Sequence, residues 1–230
     1  MIERFTRAGG GNNLKSKKLF SATLVLAVIV LSLFIFHRPI LNGAGRFLAP
    51  TGNENAEVVI LEGTQVVKKG ILDAGIRLLS DGKAKSMVVV LHHHSRENQV
   101  FALEYRYTQL IMEELENLGL EKEKVKVISA PIDGHPITLS EARFVVKKLS
   151  QNGARSAILV SEGFHTRRSF GTYSQEGARV GLHVVPYSYF DEYDGTYWWN
   201  KPQGVSEFFE ESFKLAYYIV HGYISIKFLW

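Results

Sequence analysis

Short apolar runs, each followed by apolar residues at helical spacing, constrain this chain more than any other feature. Residues 86–91 (SMVVVL) and 157–160 (AILV) are uninterrupted apolar runs. Strands buried on both faces of a parallel sheet read this way. Further strands are expected at 57–61, 125–129 and 182–186. Between them lie stretches with a 3.6-residue period. Residues 66–80 put Val67, Ile71, Ala74, Leu78 and Leu79 on one side. Residues 101–118 carry Leu103, Leu110, Ile111, Leu115 and Leu118. Residues 139–152 carry Ala142, Val145, Val146 and Leu149. A last helix, 206–223, is expected to turn Phe209, Phe213, Ala216, Tyr217 and Val220 inward. Strands alternating with helices imply right-handed βαβ units, hence an α/β three-layer αβα sandwich with a mostly parallel five-stranded sheet.

The charge is concentrated at one end. Arg4, Arg7, Lys15, Lys17 and Lys18 against Glu3 account for the whole net charge of +4. The remaining chain is neutral, so a nucleic-acid partner is discounted. The basic run precedes eighteen residues, 19–36, with no charge. As a helix that stretch would span roughly 27 Å, close to the hydrocarbon thickness of a bilayer. The positive-inside rule then places the N-terminus in the cytoplasm and the rest beyond the cytoplasmic membrane, periplasmic or extracellular. The expected organisation is a cytoplasmic tail 1–18, a transmembrane helix 19–36, a linker 37–55 and a folded domain 56–230. A cleaved signal peptide is the rival, with Asn42-Gly43-Ala44-Gly45 a weak candidate for the cleavage site. No cysteine is present, which excludes disulfides and thiol chemistry.

Residues 158–168 read ILVSEGFHTRR. The strand ends near Ser161, a turn follows, and Thr166 can cap a helix running through Ser169, Phe170 and Tyr173 to Glu176. Such a joint delivers polar side chains to the carboxyl end of a sheet, where open α/β folds bind ligands. His165 titrates near neutral pH. Arg167 and Arg168 in a first helical turn suit an anion. Upstream, residues 136–142 (PITLSEA) open another helix with Thr138 and Glu141 facing the same rim. His165 and Glu141 are the expected acid–base pair, with Glu141 orienting the imidazole and the arginines disfavouring its protonation. Ser161, Arg167, Arg168, Thr138 and Glu62 are expected to hold a small molecule bearing phosphate or carboxylate. The plainer alternative is a Glu141–Arg168 salt bridge tying two helices.

The order strand, Ser161, small residue, Phe164, His165, two residues, Arg168, helix resembles the signature of the ElyC/SanA/YdcF family (domain of unknown function 218). Thr138 to Glu141 is similar to the family's Thr-x-x-Glu helix opening. The resemblance covers roughly residues 56–223. Glu62-Gly63-Thr64 and His92-His93-His94 stand where the family tends to glycine-rich turns. The resemblance implies a Rossmann-like domain and a role in cell-envelope or peptidoglycan metabolism, with a phosphorylated or lipid-linked precursor as ligand. A non-catalytic regulator of envelope assembly is the alternative.

Other chemistries are weaker. Ser161 is not in a Gly-x-Ser-x-Gly elbow, and no Gly-x-Gly-x-x-Gly or Walker motif appears. Classic NAD and ATP sites are therefore not expected, and the sequence does not identify a cofactor. On an extended backbone His92 and His94 share a face, and His135 or His165 could join them around zinc or iron; a loop of polar histidines is the simpler reading. The aromatic loop 187–203 is expected to pack as a flap on the end of the sheet.

Overall fold

A computed structural model describes residues 11–64, 67–93, 101–132, 134 and 136–230. The chain divides into two compact units, Met1–Gly43 and Ala44–Trp230. In the first unit, the described residues belong to α1 (Gly11–Leu48), which continues into the second unit. The stretch expected as a linker is thus helical through Leu48, Pro39 included, and Leu48 is buried. Among the described residues no single helix is long and apolar enough to cross a membrane. The runs Leu19–Ser32 and Phe34–Leu48 reach that length and apolarity only together, across a bend.

The second unit alternates as its sequence implies. The elements are β1 (Val58–Thr64), α2 (Lys69–Ser80), β2 (Ser86–His93), α3 (Phe101–Asn117), β3 (Val125–Pro131), α4 (Ile137–Gln151), β4 (Ser156–Glu162), α5 (Thr166–Ala178), β5 (His183–Tyr189) and α6 (Pro202–Val220). The strands form one sheet in the order β3-β2-β1-β4-β5, every pairing parallel. Residues of alternating parity on β1 face opposite layers. Val59 and Leu61 pack with Ile71, Ala74 and Leu78 of α2 and with Ile111 and Leu115 of α3. Val58 and Ile60 pack with Ala142, Val145, Val146 and Leu149 of α4 and with Tyr173 of α5. The result is a three-layer α/β fold. Its strand order reverses between β1 and β4, which opens a crevice at their carboxyl ends.

Two helical faces depart from expectation. On α3, Ile111 and Leu115 are buried but Leu110 is exposed, as is Leu118 in the turn just beyond it. On α6 the face expected inside lies outside: Phe209, Phe213, Tyr217 and Val220 are exposed, as is Ala216. The inward residues are Gly204, Glu211, Leu215 and Tyr218. Their charged member weakens the apolar signal of the true inner face, and the aromatic stripe wins on hydropathy alone. The aromatic loop packs as a flap. Trp198 is buried, and Phe164 meets Phe190, Trp198 and Phe208 edge to face at 5.4–5.5 Å.

The centre of the sheet sets the stability. Ile60 is fully buried on the central strand. Ile60→Ala is expected to cost about 2–5 kcal/mol, because the transfer term and the residual cavity add. Urea unfolding should show it as a lower midpoint at unchanged slope.

Candidate functional site

The crevice is built from the end of β1. The register against β2 runs Leu61↔Val89 and then Thr64↔Leu91, so β1 carries one extra residue around Glu62 and Gly63. A bulge of this kind re-aims side chains and releases a backbone donor. The freed N–H of Gly63 donates to Glu141 Oε1 of α4 at 2.9 Å. Glu62 turns to α5, where His165 Nε2 donates to its Oε1 at 3.0 Å and the Ser169 hydroxyl donates to the same oxygen.

His165 lies between two carboxylates. Its Nδ1 faces Glu211 Oε2 of α6 at 3.3 Å and Arg168 Nη2 at 2.7 Å. Glu211 is held by the Arg168 fork, Nε at 2.9 Å and Nη2 at 3.0 Å, and by Lys214 Nζ at 3.0 Å. Arg168 Nη1 donates to Thr138 Oγ1 at 2.9 Å, and its guanidinium stacks over Tyr218. Charges therefore alternate through the crevice: Glu62, His165, Glu211, Arg168.

This order fixes the protonation. Burial disfavours a charged imidazole, but the Glu62 carboxylate and the hydrogen bonds to Glu211 and Glu62 outweigh it, and the pKa of His165 rises to about 9 against an opposing Arg168. The proton on Nε2 is shared with Glu62. The proton that comes and goes is the one on Nδ1: Glu211 favours it, whereas Arg168 Nη2 at 2.7 Å donates to the bare Nδ1 of the neutral ring and must turn aside when the ring is charged. Burial also opposes ionisation of Glu62 and Glu211. His165 nevertheless holds both below the usual carboxylate range, and Arg168 adds to the effect on Glu211. At neutral pH His165 is therefore an imidazolium, not the neutral base that two flanking arginines alone suggest.

Glu141 forms a second histidine–carboxylate pair, with His92 of β2 and not with His165. His92 Nε2 donates to Glu141 Oε2 at 2.5 Å, and the Tyr173 hydroxyl donates to Oε1 at 2.6 Å. Glu141 is 1% exposed, and burial beside it pushes the Tyr173 phenol far up. A Cβ on Gly63 would lie 2.6 Å from His92 Nε2 and 2.9 Å from Glu141 Oε2, so only glycine admits this pair. The Glu141–Arg168 bridge does not form; the partner of Arg168 is Glu211.

Other expected residues fall on either side of the site. Ser161 is fully buried at the end of β4. Its hydroxyl and Glu62 Oε2 have no hydrogen-bond partner among the described residues, though the hydroxyl is near enough to help keep Glu62 ionised. Thr166 does not cap α5 by accepting; its hydroxyl donates back to the carbonyls of Ser161 and Gly163. Arg167 leaves the site altogether. It donates to the carbonyls of Phe47 and Leu229 and stacks on the Phe47 and Trp230 rings. Successive helical residues point about 100° apart, so only one of two adjacent arginines can face the crevice. His94 and His135 lie outside the described residues. Among the described residues no group of three or more histidine and acidic side chains is arranged to hold a metal ion.

Glu211 and Ser169 were not foreseen. Glu211 stands far along the chain in a helix that reads as apolar, and no local motif marks it. Ser169 is one turn after His165, and that i+4 spacing is the signal that could have found it.

The raised pKa has a thermodynamic consequence. A histidine whose folded pKa exceeds its ordinary value of 6.5 stabilises the fold fully below that value. The contribution is lost as pH rises through about 9. With the ring 27% exposed, the contribution is on the order of 2–3 kcal/mol. Denaturation of the wild type and His165→Gln in parallel should show a stability difference whose pH-dependent part is full below pH 6.5, falls between 6.5 and about 9, and is gone above that. A difference independent of pH would refute the assignment.

No protein-family model and no curated protein matches the chain. Among solved structures it is similar to a functionally unknown protein from Pseudomonas aeruginosa PAO1, with 10% sequence identity and a TM-score of 0.37. The match covers 72% of this chain and 55% of that one. Likeness at this level carries no inference about function.

Proposed function

We propose that this chain is a membrane-anchored protein of the ElyC/SanA/YdcF type. Its α/β domain would perform general acid–base chemistry on a phosphorylated or lipid-linked precursor of cell-envelope or peptidoglycan metabolism. The observation that carries the reading is His165, held between Glu62 and Glu211 at the crevice where the strand order reverses. An imidazolium there serves two ends: it attracts an anionic group, and it can give a proton to a leaving oxygen.

The weakest of its contacts is the 3.3 Å approach to Glu211. A substrate oxygen that replaced Glu211 at Nδ1 would receive that proton. Glu62 would stay on Nε2 and hold the ring in place, as an orienting carboxylate does for other catalytic histidines. His92 with Glu141 forms a second imidazole–carboxylate unit at the same end of the sheet. Membrane attachment rests on the uncharged run 19–36, whose large apolar side chains, among them Leu24, Val28 and Phe36, are exposed, and on the basic residues preceding it.

Three outcomes are expected. In a screen of phosphorylated and lipid-linked envelope precursors, His165→Gln should retain ligand and lose turnover by about 100-fold or more. Wild-type turnover should fall as pH rises through about 9, because the acid is then deprotonated. Equal turnover in His165→Gln would remove His165 from the chemistry, and ligand retention with no turnover in the wild type would favour a non-catalytic binding role. Carbonate-washed membranes should retain the full chain; a soluble mature protein starting near Gly45 would contradict the anchor.

A further inference from the structure

α6 turns its more apolar side to solvent. Phe209, Phe213, Tyr217 and Val220 are 54%, 73%, 50% and 81% exposed. Their spacing of four, four and three residues places them on one face, about 16 Å long. The opposite side carries Glu211 to His165. A surface helix ordinarily buries its apolar stripe. Here an ion pair occupies the inward side, and the aromatic stripe is uncovered among the described residues. Beside the stripe, across Ala216, runs an apolar groove of about 330 Å³. Its walls are Ala44, Phe47 and Leu48 on one side and Phe208, Leu215 and Ile219 of α6 on the other.

The covalent chain points to what covers this face. Seven residues, 37–43, separate the end of the uncharged run at Phe36 from Ala44 in the groove wall. Even fully extended they reach about 28 Å. Wherever residues 19–36 enter lipid, the groove is therefore held within about one hydrocarbon thickness of that point. Phenylalanine and tyrosine exposed along one helical face, flanked by the charged Glu210 and Lys214, suit a helix lying in the headgroup boundary.

We infer that the outer face of α6 rests in the bilayer interface, with Phe209, Phe213, Tyr217 and Val220 inserted. The substrate class of the His165 site is then an amphiphile whose anionic head reaches the crevice while its apolar part stays in or near lipid. This rests on the anchoring proposed above. It goes further by giving one helix two tasks: one side holds His165, the other meets the membrane.

The chain has no cysteine, so Phe213→Cys gives a single labelling position on the stripe. Asn152→Cys gives another, exposed at the end of α4. Each full-length variant is labelled with an environment-sensitive fluorophore and reconstituted in phosphatidylcholine–phosphatidylglycerol vesicles containing doxyl-acyl lipids. Quenching at position 213 is expected to exceed that at 152 by about threefold or more. Similar quenching at both positions, in vesicles that keep the chain through a carbonate wash, would overturn the α6 contact and leave the anchor standing. Strong quenching at 213 that carbonate releases would uphold the contact and refute the anchor. Energy transfer between labels at 213 on two copies, without lipid quenching, would assign the face to a second copy and overturn the proposal. Loss of both quenching and retention would overturn the two together.

Discussion

A carboxylate buried at the end of a central strand must find a counter-charge or enough donors, and Glu62 imposes that demand on its surroundings. It is 6% exposed. An isolated ionised carboxylate in such a place is far more costly than the net stability of a domain. His165 and Ser169 answer it from α5. His165 then sits beside Arg168, and two adjacent cations need an anion of their own. Glu211 supplies it from α6. Two helices distant in sequence, α5 and α6, are thus tied to one strand end by a chain of alternating charge. Removing one member would leave its neighbour buried and unpaired, which is where the large costs of buried ion pairs lie.

The same arrangement stores chemistry. An imidazole pulled up to about 9 by two carboxylates is charged at neutral pH, and its Nδ1 proton requires Arg168 Nη2, which donates to the neutral ring at 2.7 Å, to turn toward Glu211. Such a group is poised as an acid or as an anion anchor. The bulge at Glu62 and Gly63 is the local device that makes the site possible. It sends Glu62 toward α5 and frees a backbone N–H for Glu141, which in turn meets His92. α6 links this chemistry to a surface, since the helix that presents Glu211 inward presents Phe213 and Val220 outward.

Much of the fold was legible, and the reasons are physical. Runs such as 86–91 and 157–160 are apolar because both faces of a parallel sheet are covered, and the period of 139–152 reports one buried side. Ala142, Val145, Val146 and Leu149 are indeed core. The rim at His165, Arg168, Thr138 and Glu62 was legible because strand-to-helix joints lie at one edge of such a sheet. The pairing within that rim was not. Whether Glu141 meets His165 or His92 depends on a one-residue slip in β1 that no local pattern announces. Arg167 and Arg168 are chemically identical neighbours, separated only by the helical turn. α6 misled for a stronger reason: its inner face contains the charge of Glu211 and its exposed aromatic stripe contains none, so hydropathy inverted the assignment.

The protonation of His165 is the point on which the site turns, and it can be read directly. Nitrogen-15 spectra of histidine-labelled protein, with the His165 resonances assigned by comparison with His165→Gln, report the charge on the ring as pH is varied. If Glu62 and Glu211 hold the imidazolium, the ring titrates with a midpoint near 9, and Glu211→Gln lowers that midpoint. A midpoint at the ordinary value of 6.5, unmoved by Glu211→Gln, would show that the two carboxylates do not govern the ring and would contradict the account of the site.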